Sequence, residues 1–144
     1  MFSKACEYGI RAVIYIAEQS HHDKKVSLKD VAQAVESPEA YTSKILQQLS
    51  RSNIINSNKG PTGGFWMDKQ TLDNVKLSTL VSAIDGSSIY IGCGLGLKQC
   101  NEKMPCPVHN SFKEIRNELK KMLETTSVKS LAEGLANGLT FLKR

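Results

Sequence analysis

The stretch that most constrains this chain is Asn58-Lys59-Gly60-Pro61-Thr62-Gly63-Gly64, a turn set between two short apolar runs. Ile54-Ile55-Asn56-Ser57 reads as the strand leading in, and Phe65-Trp66-Met67 as the strand coming back. Glycine and proline at this density break helices and sheet interiors alike, so the segment has to be a hairpin tip. It superficially resembles a nucleotide phosphate loop. The terminal Gly-Lys-Ser/Thr is missing and no helix follows, which excludes that reading.

What precedes the hairpin gives it a meaning. Ser27-Leu28-Lys29-Asp30 has a hydroxyl followed three residues later by an acid, a capping-box start for a short helix through Val31, Ala32 and Val35. Ser37-Pro38 then restarts the chain, with Ser37 expected as N-cap and Pro38 at the first helical position. The new helix places Tyr41, Ile45 and Leu49 on one face. Glu39, Ala40, Ser43 and Gln47 lie opposite, with Lys44 on the flank. Two short helices joined tightly, the second with a small polar outer face, form a helix-turn-helix pattern. A basic, glycine-rich hairpin directly after it reads as a wing, whose bare tip can lie along a DNA groove while Lys59 meets phosphate or a base edge.

Three of the chain's four cysteines fall in one later segment, Cys93 to His109, reading C-G-L-G-L-K-Q-C-N-E-K-M-P-C-P-V-H. Thiolates and imidazole are the ligands of zinc and of iron–sulfur clusters. Pro107 suggests that Cys106 caps a helix and that His109 lies in its first turn, where the helix dipole favours thiolate. Only Cys106 to His109 has the tight spacing of a zinc knuckle, so a structural Cys₃His zinc site is the weaker alternative. The fourth ligand place is open to His109, to Glu7 near the N-terminus, or to Cys6 beside it. A redox carrier or an enzyme is disfavoured, because no nucleotide motif or nucleophile–base pair accompanies the cysteines. His21-His22-Asp23-Lys24-Lys25 is read as a solvated turn.

Elsewhere the pattern is helical. Residues 4 to 19 form a well-buried helix, and Leu77 to Ile84 a short one that Asp85-Gly86 closes. The longest helix is expected from Val108 to Leu123, with Phe112, Ile115, Leu119, Met122 and Leu123 as its apolar stripe. Nothing large remains in the chain to cover that stripe, so it is expected to form a homodimer interface, with packing on the first helix as the alternative. A further apolar series from Val128 to Leu139 is read as a helical tail weakened by Gly134 and Gly138. The N-terminus has charges scattered among its apolar residues and no run approaches a membrane span, so a cytoplasmic protein is expected. A reducing cytosol makes these cysteines ligands rather than disulfides. The net charge of +5 and pI near 9.0 suit a polyanionic partner without proving one.

Tyr8-Gly9-Ile10-Arg11-Ala12, the helix from Ser37 to Leu49, the wing from Lys59 to Phe65 and the three-cysteine loop occur here in one order. In that combination, over nearly its whole length, the chain resembles the Rrf2 (Rrf-two) family of bacterial winged-helix transcription regulators. Its iron–sulfur-binding branch includes an iron–sulfur assembly regulator and a nitric oxide sensor. The resemblance implies a mainly α fold with a small β wing, divided as a DNA-binding domain (1–87), a cluster-binding loop (88–107) and a dimerisation helix with helical tail (108–144). It implies a homodimer that binds a partly palindromic double-stranded operator, expected to act as a repressor and to sense redox state, nitric oxide or iron–sulfur status. Cys93, Cys100 and Cys106 match the cluster thiolates. His109 stands where 2Fe–2S members use a histidine, which favours 2Fe–2S over 4Fe–4S. Glu7 stands where other members use a carboxylate, expected to reach the cluster from the partner subunit. Ser37, Thr42, Ser43, Lys44 and Gln47, with Lys59, Gly60 and Thr62 of the wing, match the DNA-contacting region. Two departures stand out: six residues separate Cys93 from Cys100 where five are common, and Ser43 replaces the base-reading glutamate.

Overall fold

The computed structural model describes residues 1–144. Helix α1 (Lys4–His21) starts where Ser3 Oγ accepts from the Cys6 amide at 3.0 Å, and Ser3 in turn bonds the Asp85 carboxylate. Helix α2 (Leu28–Val35) carries the expected capping box in both directions, Asp30 N–H to Ser27 Oγ at 3.1 Å and Ser27 N–H to Asp30 Oδ2 at 3.0 Å. It ends on Glu36 in the left-handed region. Helix α3 (Glu39–Arg51) follows at once. Pro38 takes the N-cap place, so Ser37 is not the cap, and its half-buried hydroxyl has no hydrogen-bond partner.

The wing is the antiparallel pair β1 (Asn56–Asn58) and β2 (Gly64–Trp66), in register Asn56 to Trp66 and Asn58 to Gly64. β1 begins later than the apolar run suggests, because Ile54 and Ile55 are drawn into the core. Backbone bonds between Val26 and Phe65, 2.7 and 3.0 Å, anchor the wing to the segment before α2. Two glycines are required there. A Cβ on Gly63 would overlap the carbonyl group of Asn58, and Gly64, at φ 145°, would place one 2.8 Å from the Val26 oxygen.

Short α4 (Lys69–Asn74), capped by Asp68, leads to α5 (Leu77–Asp85), which Gly86 closes at φ 71°. A single-turn α6 (Ser88–Ile91) opens the cysteine loop. Helix α7 (His109–Thr125) is one residue shorter than α1, so the first helix is the longest. Cys106 is not its N-cap. That place falls to Val108, while the His109 amide donates to the Cys106 carbonyl across a turn at 3.0 Å. Ser127 caps α8 (Val128–Ala136).

One core of 22 buried residues draws on both ends of the chain, from Cys6 to Ala132. α1 packs against α2, α3, α5 and α8, and α5 packs against both α3 and α7. Backbone bonds Leu77 N–H to Thr126 O and Val128 N–H to Val75 O, both 3.0 Å, tie the α7–α8 junction to the start of α5. The C-terminal helices therefore complete the winged unit's core. No helix is long and apolar enough to cross a membrane.

Candidate DNA interface and cysteine centre

On α3 the exposed side chains include Lys44 and Gln47, with Ser43 half-buried between them and its hydroxyl 3.4 Å from Gln47 Nε2. Arg51, one turn beyond Gln47, continues this exposed row and extends the expected set. Thr42 does not belong to the face. It is 2% exposed and donates its hydroxyl to the Pro38 carbonyl at 2.9 Å, so the core claims it. A threonine in a helix can close its hydroxyl on the preceding turn, which makes such burial inexpensive. Tyr41 turns back onto Tyr8, ring edge to face at 5.7 Å, and the Arg11 guanidinium covers the other tyrosine at 4.7 Å. Lys59, Gly60 and Thr62 are all exposed at the wing tip, with Gly60 at φ 96°. Lysine flanked by bare backbone suits a phosphate strand, and the recognition face offers amide and hydroxyl groups for base edges.

The cysteine loop folds back over the start of α7. Phe112 lies against Gly94, where a Cβ would overlap its ring. All three loop cysteines are half-buried free thiols. Cys93 Sγ accepts from the Leu95 amide at 3.4 Å. The Leu95 and Leu97 amides, then the neighbouring Cys106 thiol and the Arg116 charge, hold the Cys93 thiol below the ordinary cysteine range. Cys100 Sγ lies 3.3 Å from His109 Nδ1 and accepts from an Arg116 N–H, also at 3.3 Å. Arg116 further donates to the Gly92 carbonyl, so one guanidinium bonds the loop's first turn and its middle cysteine while its charge reaches Cys93. His109 is 6% exposed and its Nε2 has no partner. It borders a cleft of about 250 Å³ shared with Tyr90, Cys100, Lys113 and Arg116.

Three thiols, a buried imidazole with a free nitrogen and a nearby cation form a donor set suited to an iron–sulfur centre. No three His, Cys, Asp or Glu side chains converge on one point in this arrangement. Glu7 stands apart, ion-paired with Lys4 at 3.1 Å on α1. Cys6 is a core residue whose thiol is pushed up to about 12 by burial and then by Asp85, which holds it neutral. The residue that sequence reasoning missed is Arg116. Its signal was present: it lies seven positions after His109, two helical turns along the same face.

The α7 stripe is mostly covered by its own chain. Leu123 is fully buried in the core, Leu119 packs on that core and Phe112 lies under the loop. Leu123 is therefore a core residue rather than an interface residue, in the same cluster as residues of α1 and α5, and α7 packs on α5. Ile115 at 58% and Met122 at 44% remain exposed, seven residues apart on one line.

Comparison with known proteins agrees with this architecture. Residues 2–134 match the family model described as Rrf2: Iron-dependent Transcriptional regulator. An HTH-type transcriptional regulator of Aquifex aeolicus (strain VF5) is 26% identical over 133 residues, covering 91% of this chain and 90% of its own. Two solved structures share the fold at a TM-score of 0.73. CymR, the global cysteine regulator of B. subtilis, is 21% identical, with 92% of this chain and 96% of that one covered. IscR of T. potens is 18% identical, with 97% and 91% covered. A family match over almost the entire chain, on a fold that presents a recognition helix and a basic wing, assigns this protein to the Rrf2 family of DNA-binding transcriptional regulators.

Proposed function

We propose that the protein is a homodimeric, operator-binding repressor of the cytoplasm whose DNA affinity is set by an iron–sulfur cluster held by Cys93, Cys100 and Cys106, with His109 as fourth ligand and a 2Fe–2S centre favoured. The observation that carries this reading is Cys100 held by the buried, half-satisfied His109 imidazole and by the Arg116 guanidinium at the head of α7, in the same loop as Cys93 and Cys106. When bound, the cluster supplies a centre reactive toward oxidants and nitric oxide. The chain's own residues supply the route to DNA. Arg116 ties Gly92 and Cys100 to α7, and Leu123 further along α7 is locked into the core that includes α5 residues Leu80 and Val81. α5 reaches the recognition helix through Gln48, whose Nε2 donates to the Ala83 carbonyl at 2.7 Å. A change in how the loop seats on α7 thus has a packed path to α3, and a state-dependent centre must couple reciprocally to DNA. Ile115 and Met122 are the residues of the stripe left free to face a second copy. Pairing matters because half-sites lie about 34 Å apart along DNA, a spacing that two α3 helices have to match.

The second reading is a cluster-free regulator or one with a structural zinc. It is favoured by the absence of any three converging ligands and by the fold shared with CymR. Anaerobic purification separates the readings. The proposal expects iron, sulfide and visible absorbance that Cys106→Ala removes, together with a change in operator affinity. Zinc without visible bands, or neither metal in aerobic and anaerobic preparations alike, overturns it.

A further inference from the structure

On the far side of the wing from its tip, a cleft of about 450 Å³ opens between the end of α1, the root of β2, α4 and the start of α8. It shares no residue with the cleft beside Cys100. Its volume falls in the range typical of small-molecule sites. Half-buried Trp66 and buried Met67 and Leu72 give it apolar walls, and four lysines face three aspartates around them. Two of those aspartates are occupied. Asp73 pairs with Lys129 at 2.9 Å, and Asp68 accepts from the Thr71 amide at 2.8 Å as the cap of α4. Lys24, Lys25 and Lys69 are left against the charges of Asp23 and Asp68, so the rim carries one positive charge in excess. The Lys25 ammonium sits 4.2 Å over the Trp66 ring. That contact holds the Lys25 ammonium beside the apolar walls, and apolar walls with a placed cation suit an apolar body carrying an anionic group.

The cleft is also built into the wing. Trp66 pairs with Asn56, Met67 N–H donates to Ser20 Oγ at 2.9 Å, and Asp68 N–H donates to Asn56 Oδ1 at 3.1 Å. A body wedged against Trp66 therefore bears on both strands at their root, and a small rotation there swings Lys59 at the tip.

We infer that this cleft is an effector site for a small aryl or similarly flat organic anion, a carboxylate or phosphate ester, and that occupying it shifts the wing and so the DNA affinity. The inference rests on DNA binding but not on the cluster, so it stands or falls apart from the cysteine centre. Trp66 is the only tryptophan in the chain, so its fluorescence reports the cleft alone. Full-length protein as isolated, titrated with phenyl phosphate or benzoate, is expected to show a saturable change with a dissociation constant of roughly 1 mM or tighter. Inorganic phosphate and phenol, each carrying half of the recognised chemistry, should bind at least about tenfold more weakly. The Lys25→Gln/Lys69→Gln double variant, changed at two exposed positions, should lose the response. Saturating aryl anion should alter affinity for promoter DNA by roughly fivefold or more. A non-saturating response to both aryl anions overturns the site, as does equal binding of inorganic phosphate, which would mark an adventitious ion only. Saturable binding with unchanged DNA affinity overturns the coupling. If the double variant weakens ligand-free DNA binding yet titrates normally with aryl anion, the lysines are DNA-backbone contacts and the assignment fails.

Discussion

Replacing Leu123 with alanine separates a core role from an interface role. The side chain is fully buried within its own chain, in one cluster with Leu77, Leu80, Val81 and Val128. The substitution deletes three carbon atoms, worth about 2.4 kcal/mol of transfer free energy at ~0.8 per buried methylene, and the unfilled cavity adds to that. A loss of about 3–4 kcal/mol follows. For a chain of this length each kcal/mol moves the midpoint by about 3–4 °C, so Tm should fall by roughly 10 °C or more. Thermal unfolding followed by circular dichroism at several protein concentrations is the assay. A core role gives the same drop at every concentration and leaves subunit association of the folded protein intact. An unchanged Tm, or a drop that vanishes as concentration rises, would refute the burial argument and return Leu123 to the subunit interface.

Ile115→Lys places a charge on the exposed line of α7 and is expected to convert dimer to monomer in sedimentation analysis. A variant that stays dimeric removes α7 from the proposed interface. Lys59→Ala should weaken binding to all DNA sequences and lower the salt slope by about one, whereas Gln47→Ala should relax base preference. Equal losses on cognate and scrambled DNA for the Gln47 change would sink its role as a base reader. Cys6 gives a pH-dependent test. Its folded pKa is raised from 9.0 to about 12, so its contribution to stability is complete below pH 9 and is lost as pH rises toward 12. Denaturant titrations across that window should show wild type losing up to about 1.4 kcal/mol per pH unit relative to Cys6→Ala. Parallel curves would mean that the thiol is not desolvated.

Some of this protein is decided by rules that act over a few residues. The hydroxyl and carboxylate of Ser27 and Asp30 close a capping box whatever lies elsewhere, and the glycines of the wing leave the chain no alternative to a hairpin. The order of helix pair, wing and cysteine loop was legible for that reason, and it was enough to indicate the family. Short α4 and α6 were not legible, since a helix of one or two turns carries too little periodicity to register. Burial was misjudged where two faces of one helix are both apolar or tolerant of burial. Periodicity places Thr42 beside Ile45 and Leu49, but only the fold shows that the core is wide enough to take all three. The α7 stripe looks unpartnered in sequence, yet α5 and the cysteine loop cover most of it. The cysteine centre shows the same division. Sequence alone supplies three thiols and an imidazole at suggestive spacing. Folding decides which of them meet, because Cys100 is held by His109 and Arg116, and it buries Cys6 in a core drawn from elements distant in the chain while Glu7 stays paired with Lys4 on its own helix. Local stereochemistry can be read along the backbone, but the pairing of side chains waits on the core that brings their helices together.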